Sequence, residues 1–127
     1  SKMWFWVFML VVNLLLPFSM LGFGSLFYKK PPDKINSAFG YRTKLSMKNQ
    51  ESWEFAHRTC GRLWRVLGLV LLIITVIAML FLLGRNMEST AFFATGILVF
   101  QLLVMLGSIL PVERALKKRF NKDGRRR

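Results

Sequence analysis

Three long stretches of this chain carry no charged side chain, and that pattern rules out most of the ways in which it could fold. Residues 3–28, 66–84 and 89–112 lack Asp, Glu, Lys, Arg and His and are rich in Leu, Val, Ile, Phe and Met. Each is close to the ~20 residues that an α-helix, rising ~1.5 Å per residue, needs to cross a hydrocarbon layer of ~30 Å. A chain of 127 residues that is 54% hydrophobic and yet carries a net charge of +13 could not bury such runs in a soluble core. Segregating charge from apolar sequence removes the conflict. The expected fold is all-α integral membrane, with three transmembrane helices in a single domain, 1–127. The spans lie at about 3–28, 66–84 and 89–112, a motif loop occupies 29–65, and a basic tail occupies 113–127. The first run is too long for the apolar core of a cleaved signal peptide, and no small-x-small cleavage signature follows it, so it is read as a span.

The charges set the expected orientation. Residues 29–65 and 113–127 each carry a net charge of +6, whereas Arg85 and Glu88 between the second and third spans cancel. Basic loops resist translocation, so the loop and the tail belong in the cytoplasm, with the N-terminus outside and the C-terminus inside. The short turn at 85–89 then joins the last two helices as an exterior hairpin. Cationic flanks of this kind follow from topology and attract anionic lipid headgroups, which removes the need for a nucleic-acid partner. The single cysteine, Cys60, excludes an intramolecular disulfide and fits a reducing compartment.

Within the spans, Trp4, Phe5 and Trp6 suit one membrane interface, and Tyr28 with Lys29 and Lys30 suits the other. Pro17 removes a helical hydrogen bond, and Asn13, one turn earlier, can offer its amide to a neighbouring helix; Gln101 is the one mid-span polar side chain of the third run that merits a test. Gly22, Gly24, Gly68, Gly96 and Gly107 allow close helix packing within the bundle or in a homo-oligomer. Because no ionisable group falls inside a run, ion- or proton-coupled transport is disfavoured.

The loop holds most of the specific information. Pro31 and Pro32 stop the first helix, and Gly40 suits a positive φ or a close backbone approach. Ser46 or Asn49 can cap a new helix, with Glu51 and Glu54 in its first turns. Trp53, Ala56, Cys60 and Leu67 recur at helical spacing, and Glu54 with Arg58 forms an i,i+4 pair. These positions predict an amphipathic helix on the inner surface, bending near Gly61 before it enters the membrane. His57 and Cys60 are two candidate ligands where a structural zinc needs four, so no metal and no cofactor is expected.

The run Asn36-x-x-x-Gly40-Tyr41-Arg42-Thr43-x-x-Ser46-Met47-x-Asn49-x-Glu51-x-Trp53-x-x-Ala56-His57-Arg58-x-x-Gly61 resembles the signature of the SdpI family of bacterial membrane proteins. That family takes its name from an immunity protein that protects cells from a secreted toxic peptide. The resemblance is to the family's C-terminal unit, a short form with one helix before the motif. It implies a bacterial plasma-membrane protein that confers immunity or resistance to a membrane-active toxin peptide, or responds to one, by binding rather than catalysis. The motif residues Asn36, Gly40, Tyr41, Arg42, Thr43, Ser46, Asn49, Glu51, Trp53, His57, Arg58 and Gly61 are its candidate binding site, with Arg42 pairing to an acidic group or phosphate and Trp53 as an anchor. The bland alternative is that the motif only orders the loop. Two further readings stand beside it. One is a membrane-embedded enzyme acting on a lipid or peptide, with His57 and Glu51 or Glu54 as acid–base groups. The other is a scaffold that holds a cytoplasmic regulator through the basic tail.

Overall fold

The computed structural model describes residues 2–127, arranged as α1 (Lys2–Lys29), α2 (Gln50–Phe81), α3 (Met87–Gly107) and α4 (Ile109–Arg119). Three helices are long and apolar enough to cross a membrane, the third made of α3 and α4 together. Their apolar faces point outward: Phe81 and Phe92 are 76% and 73% exposed, and Leu15, Leu103 and Leu110 are also exposed. Water would not tolerate a belt of this size, and a bilayer requires it. The chain is a multi-pass, three-span membrane protein.

Glycines set the closest helix contact. A Cβ on Gly61 of α2 would lie 2.5 Å from the Gly24 carbonyl oxygen and 2.5 Å from the Tyr28 nitrogen of α1. One on Gly24 would lie 3.0 Å from the Gly61 oxygen, and one on Gly68 would lie 3.1 Å from the Pro17 oxygen. The two backbones therefore touch along several turns, which only small residues permit. Gly22, Gly96 and Gly107 have nothing this close.

Pro17 leaves α1 intact but cannot donate to the Asn13 carbonyl four residues earlier. Gln101 of α3 fills that role: its Nε2 donates to Asn13 O at 2.9 Å and to Thr75 Oγ1 of α2 at 2.7 Å. The side chains of Asn13, Thr75 and Gln101 are fully buried. A single side chain thus ties the three helices together in mid-span, using a carbonyl that proline has freed.

Several boundaries differ from expectation. The loop's amphipathic helix is not a separate surface element, because α2 runs from Gln50 through Gly61 to Phe81 without interruption. Its polar-end half is held against α1 and α4 instead of resting on lipid, and Gly61 serves that packing. The turn before α3 begins earlier than the sequence suggests, at Leu82, with Gly84 at φ +79° and Asn86 accepting from the Ser89 N–H. The third run is interrupted at Ser108, between α3 and α4. Pro111 accounts for the break, since it cannot bond to the Gly107 carbonyl and its ring crowds it. The basic tail is folded. After α4, Phe120 is fully buried, Asn121 closes a turn by accepting from the N–H groups of Asp123 and Arg125, and Phe120 pairs with Arg126 in an antiparallel bridge.

Candidate functional site

Loop, α2 and α4 meet at the basic end of the bundle in one apolar cluster of Tyr41, Ala56, Cys60, Val112, Leu116 and Phe120. Around it the motif residues form a cap.

The loop is organised by short polar side chains that replace missing backbone partners. Asn36 Oδ1 accepts from the N–H groups of Ala38 and Phe39 at 3.0 and 2.7 Å, closing a turn. Thr43 and Ser46 bond reciprocally: Thr43 N–H donates to Ser46 Oγ at 2.9 Å, and Ser46 N–H to Thr43 Oγ1 at 3.3 Å. Asn49 caps α2 by accepting from Ser52 N–H at 2.8 Å, while Ser52 Oγ accepts from Asn49 N–H at 3.2 Å, a full capping box. Asn49 also donates to the Gly124 carbonyl, which fixes the tail onto the start of α2.

His57 is the hub. Its ring is fully buried, 4.2 Å from the Trp53 ring and edge-on to Phe27 at 5.0 Å. Tyr41 N–H donates to Nε2 at 2.8 Å. Nε2 must therefore be the unprotonated nitrogen, and Nδ1–H donates to the Trp53 carbonyl at 2.8 Å. Burial lowers the pKa of His57, opposed in part by the bond to Trp53. Gly40, at φ +110°, passes so close that a Cβ there would lie 2.5 Å from Nε2. Trp53 donates from Nε1 to the Pro32 carbonyl at 2.8 Å, tying the start of the loop to α2.

Tyr41 links the cap to α4 by donating to Glu113 Oε1 at 2.8 Å. Burial, helped by this bond and by the charge on Glu113, raises its pKa. The buried Cys60 thiol is pushed up to about 12 by burial alone. Both shifts favour the protonated form at neutral pH.

The remaining motif residues divide between packing and the surface. Gly61 permits the α1–α2 contact. Arg58, expected to pair with Glu54, donates instead to the Tyr28 carbonyl at 3.1 Å. Glu51 pairs with Arg126 of the tail at 3.0 Å, the one ion pair among the described residues. Arg42 is exposed, and one of its N–H groups donates to the Ser37 carbonyl at 2.6 Å. Beside it a cavity of about 350 Å³ lies between the cap, α1 and the α3–α4 junction. The His57 ring nitrogens bond the Tyr41 N–H and the Trp53 carbonyl and not Glu51 or Glu54. No group of three or more His, Cys, Asp or Glu is arranged for a metal among the described residues.

Ser52, Glu113, Phe120 and Gly124 were not singled out from the sequence. Asn49-x-x-Ser52 carries a readable capping-box signal. A lone phenylalanine amid eight basic residues of the tail, by contrast, is indistinguishable by pattern from an exposed one.

Fold and site together define a small α-helical membrane protein with a folded polar cap on one end of its bundle. The profile of the SdpI/YfhL protein family matches residues 33–112, from the loop through the third span, and the chain belongs to that family. It is 42% identical over 57 residues to the uncharacterized protein YfhL of Bacillus subtilis (strain 168). That alignment covers 45% of this chain and 47% of the relative, so the chain matches about half the length of that protein. No solved structure matches.

Proposed function

We propose that this protein resides in the bacterial plasma membrane and confers resistance to a membrane-active toxin peptide by binding rather than by chemistry. The net charge of +6 on each of residues 29–65 and 113–127 supports a cytoplasmic cap, with the N-terminus outside and the C-terminus inside. Family membership supports the immunity-type role through the resemblance set out above.

The observation that carries the choice of binding over catalysis is the state of His57. Both ring nitrogens are committed to backbone groups of the cap, and no carboxylate orients the ring. A general base needs one free nitrogen within reach of a substrate proton. Cys60 and Tyr41 are held protonated by burial. What remains outward is Arg42 on the rim of the cap, a planar cation with four N–H groups beyond the one given to Ser37. On this reading Asn36, Gly40, Thr43, Ser46, Asn49, Trp53, His57 and Gly61 build the platform, and Arg42 is its recognition group.

The experiment is expression of the full chain in a sensitive bacterium challenged with a panel of secreted membrane-active peptides. Survival against at least one of them is the expected result. Sensitivity to all of them, with the protein abundant in the membrane, overturns the resistance reading.

A further inference from the structure

The cavity beside the cap is almost wholly apolar and ends at the loop that carries Arg42. The helices give it apolar walls: Phe23 and Phe27 from α1, Trp64 from α2, and Leu106 and Ile109 from the α3–α4 junction. Phe23 precedes the end of α1 at Lys29 by six residues, about 9 Å along the helix axis. Its upper wall is made by the loop residues Phe39 to Thr43, which brings the exposed Arg42 to its edge. That wall is fixed in height, since Tyr41 donates to Glu113 Oε1 at the start of α4. Arg62 and Arg65 of α2 flank the Tyr28 ring of α1 at 5.8 and 5.4 Å and mark the same polar boundary there.

The lip of the cavity faces outward. Phe23, Phe39, Leu106 and Ile109 are 43%, 43%, 58% and 40% exposed, and all but Phe39 belong to helices that cross the membrane. The opening is therefore lateral, toward lipid. Whatever fills it has an apolar part about two helical turns below the polar boundary and a group beside Arg42 at that boundary. No carboxylate pairs with Arg42 among the described residues, so the complementary group is an anion.

We propose that this groove is a selective site for one anionic phospholipid of the leaflet at the basic end, with an acyl chain between α1 and the α3–α4 junction and the phosphate on Arg42. At about 350 Å³ it is at the small end of ligand sites, enough for part of one chain. This goes beyond the diffuse attraction that any cationic loop exerts on a negative membrane, and it stands independently of toxin resistance.

The test uses the full chain in nanodiscs of mixed phosphatidylglycerol and phosphatidylcholine, released into mild detergent, with retained lipid counted by native mass spectrometry. Wild-type protein retains one phosphatidylglycerol per chain in preference to phosphatidylcholine. Arg42→Gln lowers that retention at least about tenfold, as loss of a charge-assisted contact implies. Leu106→Trp, which fills the groove from its exposed lip, removes it while Arg42 is intact. Lys117→Gln, on the tail-bearing helix α4, leaves it unchanged. Each variant is first matched to wild type in melting temperature, and Leu106→Phe replaces the tryptophan if that variant fails. Equal retention of both lipids, or undiminished retention in Arg42→Gln and the filled-groove variant, overturns the proposal. So does a groove that holds no phosphatidylglycerol but retains an added membrane-active peptide.

Discussion

The chain has one histidine, so the protonation of His57 can be read without interference from another imidazole. In the folded cap its Nε2 accepts from Tyr41 N–H at 2.8 Å, and protonation would set two donors against each other. Burial acts in the same direction, holding the folded-state pKa below the ordinary value of 6.5. The unfolded chain therefore binds a proton first as the pH falls. Stability is full above about pH 7, and from about pH 6.5 downward it declines, with a slope of up to about 1.4 kcal/mol per pH unit until the folded-state pKa is reached. Replacing His57 with Leu removes this dependence and has its own cost. The buried Tyr41 N–H loses its His57 acceptor, worth about 1–3 kcal/mol. The ring contacts with Trp53 and Phe27 also go, each worth about 0.5–1.5 kcal/mol. The sum, about 2–6 kcal/mol, is a large share of the ~5–15 kcal/mol typical of a folded domain. Thermal unfolding in nonionic micelles from pH 5 to 8, followed by tryptophan fluorescence, measures both effects. A wild-type curve that is flat down to pH 5, or a His57→Leu curve that keeps the acid decline, would refute the assignment of His57 as a neutral structural hub.

Other substitutions probe the rest of the frame. Gly61→Ala forces α1 and α2 apart, because its methyl would sit 2.5 Å from two α1 backbone atoms; a loss of about 1–3 kcal/mol in the same melt is expected, against no change for Gly96→Ala. Gln101→Leu removes the donor to Asn13 O and Thr75 Oγ1 and costs about 0.6–1.7 kcal/mol, the range found for hydrogen bonds between membrane helices; an unchanged melting temperature would mean that the Asn13 carbonyl finds another donor. Cys60, buried with its thiol at about 12, resists maleimide at pH 8 in the folded protein and reacts once the protein is denatured.

The spans were legible because a bilayer imposes a length and a polarity that charge-free runs reveal directly. Local chemistry was also legible. Asn49 at the cap of α2, Gly40 at a positive φ and the prolines that end α1 act within a few residues of themselves. Contacts between distant segments were not. Asn49 donating to Gly124, Phe120 filling the space beside Phe55 and Tyr41, and Gln101 answering the carbonyl freed by Pro17 join positions separated by 60 or more residues. The spacing of Trp53, Ala56 and Cys60 specifies a helix but does not tell a lipid surface from a protein neighbour, since periodicity gives a face and not its partner. Its partners turned out to be α1, the loop and α4. Most of the motif, from Asn36 to Gly61, works to hold these pieces together, and Arg42 stands out because the fold makes so little use of it.

That contrast gives the most direct test of the account. Sensitive cells expressing wild-type protein or Arg42→Ala are compared for survival under a peptide against which the wild type protects, with membrane abundance matched by quantitative blotting. The account predicts that Arg42→Ala is as abundant and as thermally stable as wild type, since its side chain contributes one exposed hydrogen bond to the fold, and that protection is lost. Full protection by Arg42→Ala at equal abundance would contradict it.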